Sequence, residues 1–143
     1  MRTLLIAFTI LASFAFAAGT ETGKNNPLAG TWIPETAEIN GKPFPDEIRK
    51  SMKLVIGNDD TYTVTVGDKA DKGTVKVNST AKPKEIDIIG AEGPNKGKTL
   101  LAIYEHTGDT LRICYDLSGK ARPTEFNSVG GTHFLVTYKR EKK

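Results

Sequence analysis

The feature that most constrains this chain is a series of short segments in which apolar and polar residues alternate between turn residues. The segment TYTVTV, residues 61–66, is the clearest, because Tyr62, Val64 and Val66 share one face and threonines occupy the other. Such alternation is typical of a β-strand with one buried face. Across the chain the pattern predicts eight strands, at residues 30–40, 52–58, 61–66, 73–78, 84–89, 98–106, 110–116 and 132–140.

Eight short strands, each with one apolar face, predict an all-β fold with antiparallel pairing. An up-and-down barrel satisfies the pattern and leaves no exposed sheet edge. A sandwich with Greek-key connections fits the same periodicity, so the pattern leaves both architectures open. Residues 45–52 carry Pro45 early and acidic residues in the first turn, which predicts one short helix after the first strand.

The N-terminal residues have the three parts of a secretory signal peptide. Arg2 precedes an apolar run from Leu4 to about Phe16, and residues 15–17 form an A-x-A cleavage site. The run is shorter than the roughly 20 apolar residues of a membrane span, although an uncleaved anchor is the alternative. These features predict a signal peptide at 1–17, a flexible leader at 18–27 and one barrel domain at 28–143. We expect export to the periplasm or the extracellular space, with no membrane span after cleavage.

Charge and cysteine content narrow the classes of function. The chain has 20 basic and 17 acidic residues, a formal net charge of +3, and both signs alternate along it. That distribution indicates a solvated surface and argues against a nucleic-acid partner. The single cysteine, Cys114, cannot form an internal disulfide, and we expect a buried thiol rather than a cross-link between subunits. We therefore expect a monomer.

Residues 93–99, GPNKGKT, come close to a phosphate-binding loop. That loop requires G-x-x-x-x-G-K-S/T and a helix that opens on the lysine. The residue five positions before Gly97 is Glu92, and Gly93 leaves only three residues between the two glycines. A predicted strand, not a helix, begins at Lys98. We therefore predict a glycine-rich hairpin loop that binds no nucleotide.

No arrangement of residues typical of catalysis or metal binding is recognisable. Neither His106 nor His133 has a second ligand at metal-binding spacing, and a G-x-S-x-G motif is absent. Residues 68–73, DKADKG, lack the spacing of a calcium loop and are interpreted as a turn. The sequence thus predicts a protein that is not an enzyme, with no cofactor and no metal.

The block RPTEF, residues 122–126, is the most distinctive segment outside the predicted strands. Pro123 stiffens it, and Arg122 and Glu125 are positioned to form an ion pair. We expect Phe126 to insert into one end of the barrel. On this interpretation the segment closes the barrel end; the alternative is that it lines the mouth or contacts a partner.

The motif Gly30-Thr31-Trp32 resembles the G-x-W of the first lipocalin strand. In lipocalins this tryptophan closes one end of the barrel and an arginine near the end of the last strand packs across its ring; Arg140 occupies the matching place. The blocks LAGTWIPETAEINGKPFP, DTLRICYDLSGKARPTEF and TYKR look like a small lipocalin-like family of exported or modular planctomycete proteins. The resemblance implies an eight-stranded up-and-down barrel closed by Trp32 and Arg140, and it implies no catalytic residues.

Two functions remain for such a barrel. Its interior is just wide enough to be filled by side chains or to hold one small ligand. The first hypothesis is non-catalytic binding of a small apolar or amphipathic molecule, and the candidate ligand-binding residues are Tyr62, Tyr104, Ile113, Tyr115 and Phe134. The alternative is a structural or protein-interaction domain of the cell envelope with a filled barrel. An apolar cavity of about 300 Å³ or more would favour the ligand.

Overall fold

The computed structural model describes residues 26–129 and 131–142. Within these residues the strands are β1 (Gly30–Ile39), β2 (Lys42–Pro43), β3 (Met52–Ile56), β4 (Thr61–Val66), β5 (Lys69–Asn78), β6 (Lys84–Glu92), β7 (Thr99–Thr107), β8 (Thr110–Asp116) and β9 (His133–Arg140). One short helix, α1 (Asp46–Lys50), lies between β2 and β3. The predicted signal peptide at 1–17 and most of the predicted leader at 18–27 lie outside the described residues.

The sheet closes on itself. β1 and β3 to β9 pair antiparallel with their neighbours in chain order, and β1 also pairs with β9, with Trp32 opposite Arg140 and Ile39 opposite Phe134. These eight strands form a closed up-and-down barrel, while β2 only extends the end of β1. The predicted fold class is confirmed, and closure excludes the sandwich alternative.

All eight predicted strands are present, but two of them are longer than predicted. β5 begins at Lys69 and β6 continues to Glu92, so residues 68–73 are largely strand rather than turn. The predicted bounds were wrong because Gly73 and Gly90 were interpreted as the points where a strand begins or ends. Gly73 lies at the irregularity in the pairing of β5 with β6, and a Cβ on it would clash first with the Ile89 carbonyl of β6 and then, at 2.9 Å, with the Tyr62 ring. Gly73 is therefore a place where a neighbouring backbone and a ring approach the strand closely, not the end of the strand.

The hydrophobic core lies inside the barrel, between the inward faces of the strands. Its buried apolar members are Leu28, Trp32, Ala37, Leu54, Ile56, Tyr62, Val75, Ile86, Ile88, Leu100, Ala102, Tyr104, Leu111, Ile113, Tyr115, Val136 and Tyr138. The alternation that predicted the strands also predicts this inward set, because successive side chains of a strand point to opposite faces. All four tyrosines of the chain belong to it.

One end of the barrel is closed around Trp32, which is fully buried. The indole Nε1 donates a hydrogen bond to the Leu28 carbonyl at 2.8 Å, and the Arg140 guanidinium lies 4.3 Å from the ring centroid. Gly30 makes this approach possible. It has a φ of +141°, and a Cβ there would lie 2.5 Å from Nη1 of Arg140. The glycine of G-x-W is thus required by the position of the arginine.

The turn before β1 belongs to the same closed end. The side-chain amide of Asn26 donates to the carboxylate of Asp60 at 2.9 Å, and the Asn26 carbonyl accepts from the Ala29 amide at 2.9 Å. Asn26 and Pro27, which we assigned to the leader, are therefore part of the folded domain.

The described part of the connection between β8 and β9, residues 117–129 and 131–132, crosses the outside of the barrel. Arg122 places its guanidinium 2.7 Å from a carboxylate oxygen of Asp87 and 3.6 Å from one of Glu85, two outward residues of β6. It also donates to the Ala102 carbonyl at 2.9 Å. The expected ion pair with Glu125 is wrong, because the partners of Arg122 come from the barrel wall.

Phe126 also lies on this outer wall and not in the barrel end, which corrects the second expectation for RPTEF. The guanidinium of Arg112, an outward residue of β8, is 4.2 Å from the Phe126 ring centroid. The loop covers that wall closely enough to leave the outward residues Ile103 and Cys114 1% and 0% exposed. Cys114 is the buried free thiol that we expected, and burial raises its pKa.

Candidate functional site

A cavity of about 240 Å³ occupies the end of the barrel opposite Trp32. Its walls are mainly apolar side chains from the inner faces of the strands, including Leu54, Val64 and Leu100. Val66 and Leu117 also line it and are 39% and 41% exposed, so the cavity reaches the surface at the mouth of the barrel. The structure thus combines a closed, packed end with an open, partly hollow one.

Three of the five predicted ligand-binding residues meet in this cavity. Tyr62, Tyr115 and Phe134 all line it. Tyr104 faces inward but lies nearer the closed end, where it borders a separate depression of about 440 Å³ that is more open to solvent than the cavity. Ile113, opposite Tyr104 in the sheet, is fully buried in the core and lines no described cavity. Strand periodicity predicts which face a residue takes, but not its height along the barrel.

Tyr115 and Phe134 line the cavity and belong to an aromatic stack, whose third member, Phe44, is not among the lining residues. The ring of Phe134 lies 5.5 Å from that of Tyr115 and 5.1 Å from that of Phe44, with interplanar angles of 22° and 20°. Phe44 comes from the segment between β2 and α1, whose backbone is tied to β1 by a hydrogen bond from the Phe44 amide to the Ala37 carbonyl. The stack presents a flat apolar face suited to a ring or a short chain.

The first polar group of the cavity is built on Asp71, which faces inward from β5 and is 8% exposed. Its carboxylate accepts hydrogen bonds from the Tyr62 hydroxyl at 2.9 Å and from the Asn95 amide and side chain at 3.0 and 2.9 Å. Asn95 belongs to the glycine-rich loop, residues 93–98, so the carboxylate ties that loop to the barrel wall. Burial, with the hydrogen bond and charge of Asp71, raises the pKa of Tyr62.

The second polar group is a pair of phenols. The hydroxyl oxygens of Tyr115 and Tyr138 are 2.9 Å apart, and both side chains line the cavity. Tyr138 lies opposite Leu111 in the sheet, so its backbone is nearer the closed end of the barrel than the backbone of Tyr115. Burial raises the pKa of Tyr138 to about 12 and that of Tyr115 well above its ordinary value.

Three polar residues of the site were missed by sequence analysis. Tyr138 fits the alternation of the last strand and could have been found by extending the inward set to that strand. Asp71 was hidden because DKADKG was interpreted as a turn, although it lies opposite the inward Val64. Asn95 lies in a loop, where periodicity gives no direction.

The glycine-rich loop does not have the surroundings of a phosphate-binding loop. The strand β7 begins at Thr99, directly after Lys98, as the sequence predicted. Lys98 is exposed, and its amide donates to the Asn95 carbonyl at 2.9 Å. The loop is the hairpin connection from β6 to β7 and covers part of the cavity through Pro94 and Asn95.

Metal-binding groups do not converge in the described part of the chain. Within residues 26–129 and 131–142, no three His, Cys, Asp or Glu side chains are grouped so as to hold a metal ion. His106 packs edge-on against Trp32, with ring centroids 5.8 Å apart. His133 begins β9 at the open end, with Nδ1 3.3 Å from the Asn127 carbonyl. The helices of the same residues include none long and apolar enough to span a membrane.

Comparison with known proteins supports the fold alone. No family model matches the sequence, and no curated protein matches it. The structure is similar to that of a DUF4847 family protein from Bacteroides vulgatus, with a TM-score of 0.50 and 13% sequence identity. The similarity covers 80% of this chain and 94% of that one. The resemblance to lipocalin-like planctomycete proteins stays a prediction.

Proposed function

We propose that this domain binds one small apolar or amphipathic molecule in the open end of the barrel, without catalysis, after export from the cytoplasm. The observation that carries the proposal is the apolar cavity of about 240 Å³ between the aromatic stack and the glycine-rich loop. Burying an apolar ligand there gains roughly 25 cal/mol per Å² of apolar surface, offset by the cost of immobilising it. We expect affinity in the micromolar range.

The size of the cavity limits the ligand. A dry apolar cavity of about 150 Å³ holds benzene, whereas sites for drug-sized molecules begin at about 300 Å³. A cavity of about 240 Å³ therefore suits a substituted ring or a short chain. A larger amphipathic molecule would leave its polar part at the mouth. The cavity is smaller than the volume of about 300 Å³ that would favour a drug-sized ligand, so its size does not decide against an interaction domain, and titration with an apolar probe separates the two functions.

Titration with a small neutral fluorescent probe, 2-methoxynaphthalene, tests the proposal. We expect saturable one-to-one binding to the purified mature protein. Val64→Trp places a large side chain in the cavity and should abolish binding. Val55→Trp is the matched control, because Val55 lies on the adjacent strand β3, points outward and is 37% exposed. Tyr115→Ala should change the affinity while the far-UV circular dichroism stays that of the folded domain.

Equal binding by the Val64→Trp and Val55→Trp variants would place the probe outside the cavity and contradict the proposal. Absence of saturable binding to well-folded protein for several unrelated apolar probes would contradict it as well. In that case the protein-interaction alternative would take its place.

A further inference from the structure

Three hydroxyl groups line the cavity, those of Tyr62, Tyr115 and Tyr138, and the hydrogen bonds between described residues leave one of their protons without an acceptor. The Tyr62 hydroxyl donates its proton to Asp71. In the Tyr115–Tyr138 pair one hydroxyl donates and the other accepts, and each hydroxyl carries a single proton. The accepting hydroxyl therefore keeps a proton that no acceptor among the described residues takes. In the free protein, water entering from the mouth accepts this proton. A ligand that displaces this water must bring an acceptor of its own, because a buried donor without an acceptor is unfavourable.

The charges around the cavity exclude charged groups from its interior. Asp71 places a carboxylate in the wall, where it disfavours a second negative charge. Lys69 is the basic residue among the described lining residues, and it is exposed at the rim. A cation would find the Asp71 oxygens already engaged by three donors, from Tyr62 and Asn95. The interior thus suits an uncharged group.

We propose that the ligand is a small neutral molecule with a hydrogen-bond acceptor, such as a ketone carbonyl, at its buried end. The acceptor takes the free hydroxyl proton of the Tyr115–Tyr138 pair, and the apolar body packs against Phe134 and the aliphatic wall. This inference rests on the proposed function and specifies the chemistry of the same site.

Three probes of similar size separate the possibilities. Acetophenone is neutral and carries an acceptor, isopropylbenzene lacks the acceptor, and benzoate is an anion. Each is titrated calorimetrically against wild type and against Tyr115→Phe/Tyr138→Phe, which removes both hydroxyls and keeps both rings. Comparison of the two proteins cancels the different hydrophobicities of the probes. The preference for acetophenone over isopropylbenzene should fall about tenfold in the double variant, the typical effect of one hydrogen bond.

Single variants give a sharper test than the double variant alone. In Tyr138→Phe the Tyr115 hydroxyl keeps its proton and loses its acceptor, and the reverse holds in Tyr115→Phe. Each single variant should therefore retain the preference that the double variant loses. Tyr104→Phe is the matched control, since Tyr104 is a buried inward tyrosine outside this cavity. It should leave all three affinities unchanged.

Infrared spectroscopy of bound acetophenone needs no variant and covers the case in which the double variant does not fold. The carbonyl stretch should lie at lower frequency than in an alkane solvent, because the oxygen accepts a hydrogen bond. An alkane-like frequency, or an unchanged preference in a folded double variant, would overturn the inference. Tighter binding of benzoate than of acetophenone would also overturn it. Failure of all three probes to bind would instead contradict the proposed function, whereas binding without preference contradicts the inference alone.

Discussion

The guanidinium of Arg140 lies 4.3 Å from the centroid of the Trp32 ring and covers the closed end of the barrel. The same group donates to the Ala29 carbonyl at 2.6 Å and approaches the Asp109 carboxylate at 3.4 Å. β1 and β9 place the two residues directly opposite each other, at the seam where the barrel closes. One side chain thus connects the first strand, the last strand and the turn between β7 and β8.

Removal of the Trp32 ring should strongly destabilise the domain. Trp32→Ala should lower the free energy of unfolding by about 3–5 kcal/mol, the usual range for a buried large aromatic residue, as measured by urea denaturation. Trp32→Phe retains a ring beneath Arg140 but loses the hydrogen bond to Leu28, so its stability should lie between those of wild type and Trp32→Ala. Unchanged stability of Trp32→Ala would show that the closed end does not depend on this residue.

The glycine-rich loop should not bind nucleotide. Lys98 is exposed and is followed by the strand β7, so the loop has no helix N-terminus to hold a phosphate. Calorimetric titration with ATP and Mg²⁺ should show no heat of binding, and Lys98→Ala should fold with wild-type stability. Saturable ATP binding that Lys98→Ala abolishes would contradict the conclusion from loop spacing.

Asp116 anchors the start of the loop that crosses the outer wall. Its carboxylate is 2% exposed. It accepts hydrogen bonds from the backbone amides of Ser118, Lys120 and Ala121 and from the hydroxyls of Ser118 and Thr132. Burial alone would raise the pKa of Asp116, but the hydrogen bonds from Ala121, Ser118 and Thr132 together hold it well below its ordinary value.

This depressed pKa predicts a pH-dependent effect of Asp116→Asn. The stabilisation by a carboxylate of lowered pKa is fully present above the unfolded value of about 4 and is lost as pH falls through the folded value. At neutral pH the variant should be less stable by about 1.5–3 kcal/mol, the usual worth of hydrogen bonds to a charged group. Urea denaturation should show this difference shrinking below about pH 4. The exposed Asp68→Asn controls for loss of one negative charge. A difference that persisted unchanged in acid would contradict the assignment.

The barrel could be predicted from the sequence because alternation determines the face of every strand residue. The inward positions of Tyr62, Tyr115 and Phe134 follow from that rule alone. The cavity could not be predicted, because its position depends on which inward residues of different strands lie at the same level along the barrel axis and on the sizes of their side chains. Tyr104 and Ile113 face inward, as alternation predicts, but they lie nearer the closed end of the barrel and do not line the cavity.

The loop over the outer wall was unpredictable for a different reason. Nothing in the spacing of the outward residues of β7 and β8 indicates that residues 117–129 and 131–132 fold back over them. Ile103 and Cys114 are apolar at outward positions, and this was the available signal. It indicates that something covers the wall, but not which segment. The partners of Arg122 are similarly set by tertiary packing rather than by local sequence.

All four tyrosines of the chain have raised pKa values, and this predicts the behaviour of the domain in alkali. Burial is the first cause for Tyr62, Tyr104, Tyr115 and Tyr138, and for Tyr138 it raises the pKa to about 12. In the unfolded chain each phenol ionises near pH 10. The stability that depends on keeping these phenols neutral is therefore complete below about pH 10 and is lost as pH rises toward the folded values.

Native protein should accordingly show little tyrosinate absorbance at about pH 10.5, where protein unfolded in guanidinium is more than half ionised. At higher pH the four phenols should ionise together with the loss of the far-UV circular dichroism of the barrel, because neutral buried phenols ionise readily only when unfolding exposes them. Tyr104→Phe should reduce the final tyrosinate signal by one quarter and leave the cooperativity of the transition unchanged. Ionisation of any tyrosine near pH 10 in protein that keeps its native circular dichroism would show that this residue is not enclosed by the barrel. If that residue were Tyr115 or Tyr138, the phenol pair assigned to the inner part of the cavity would be open to solvent.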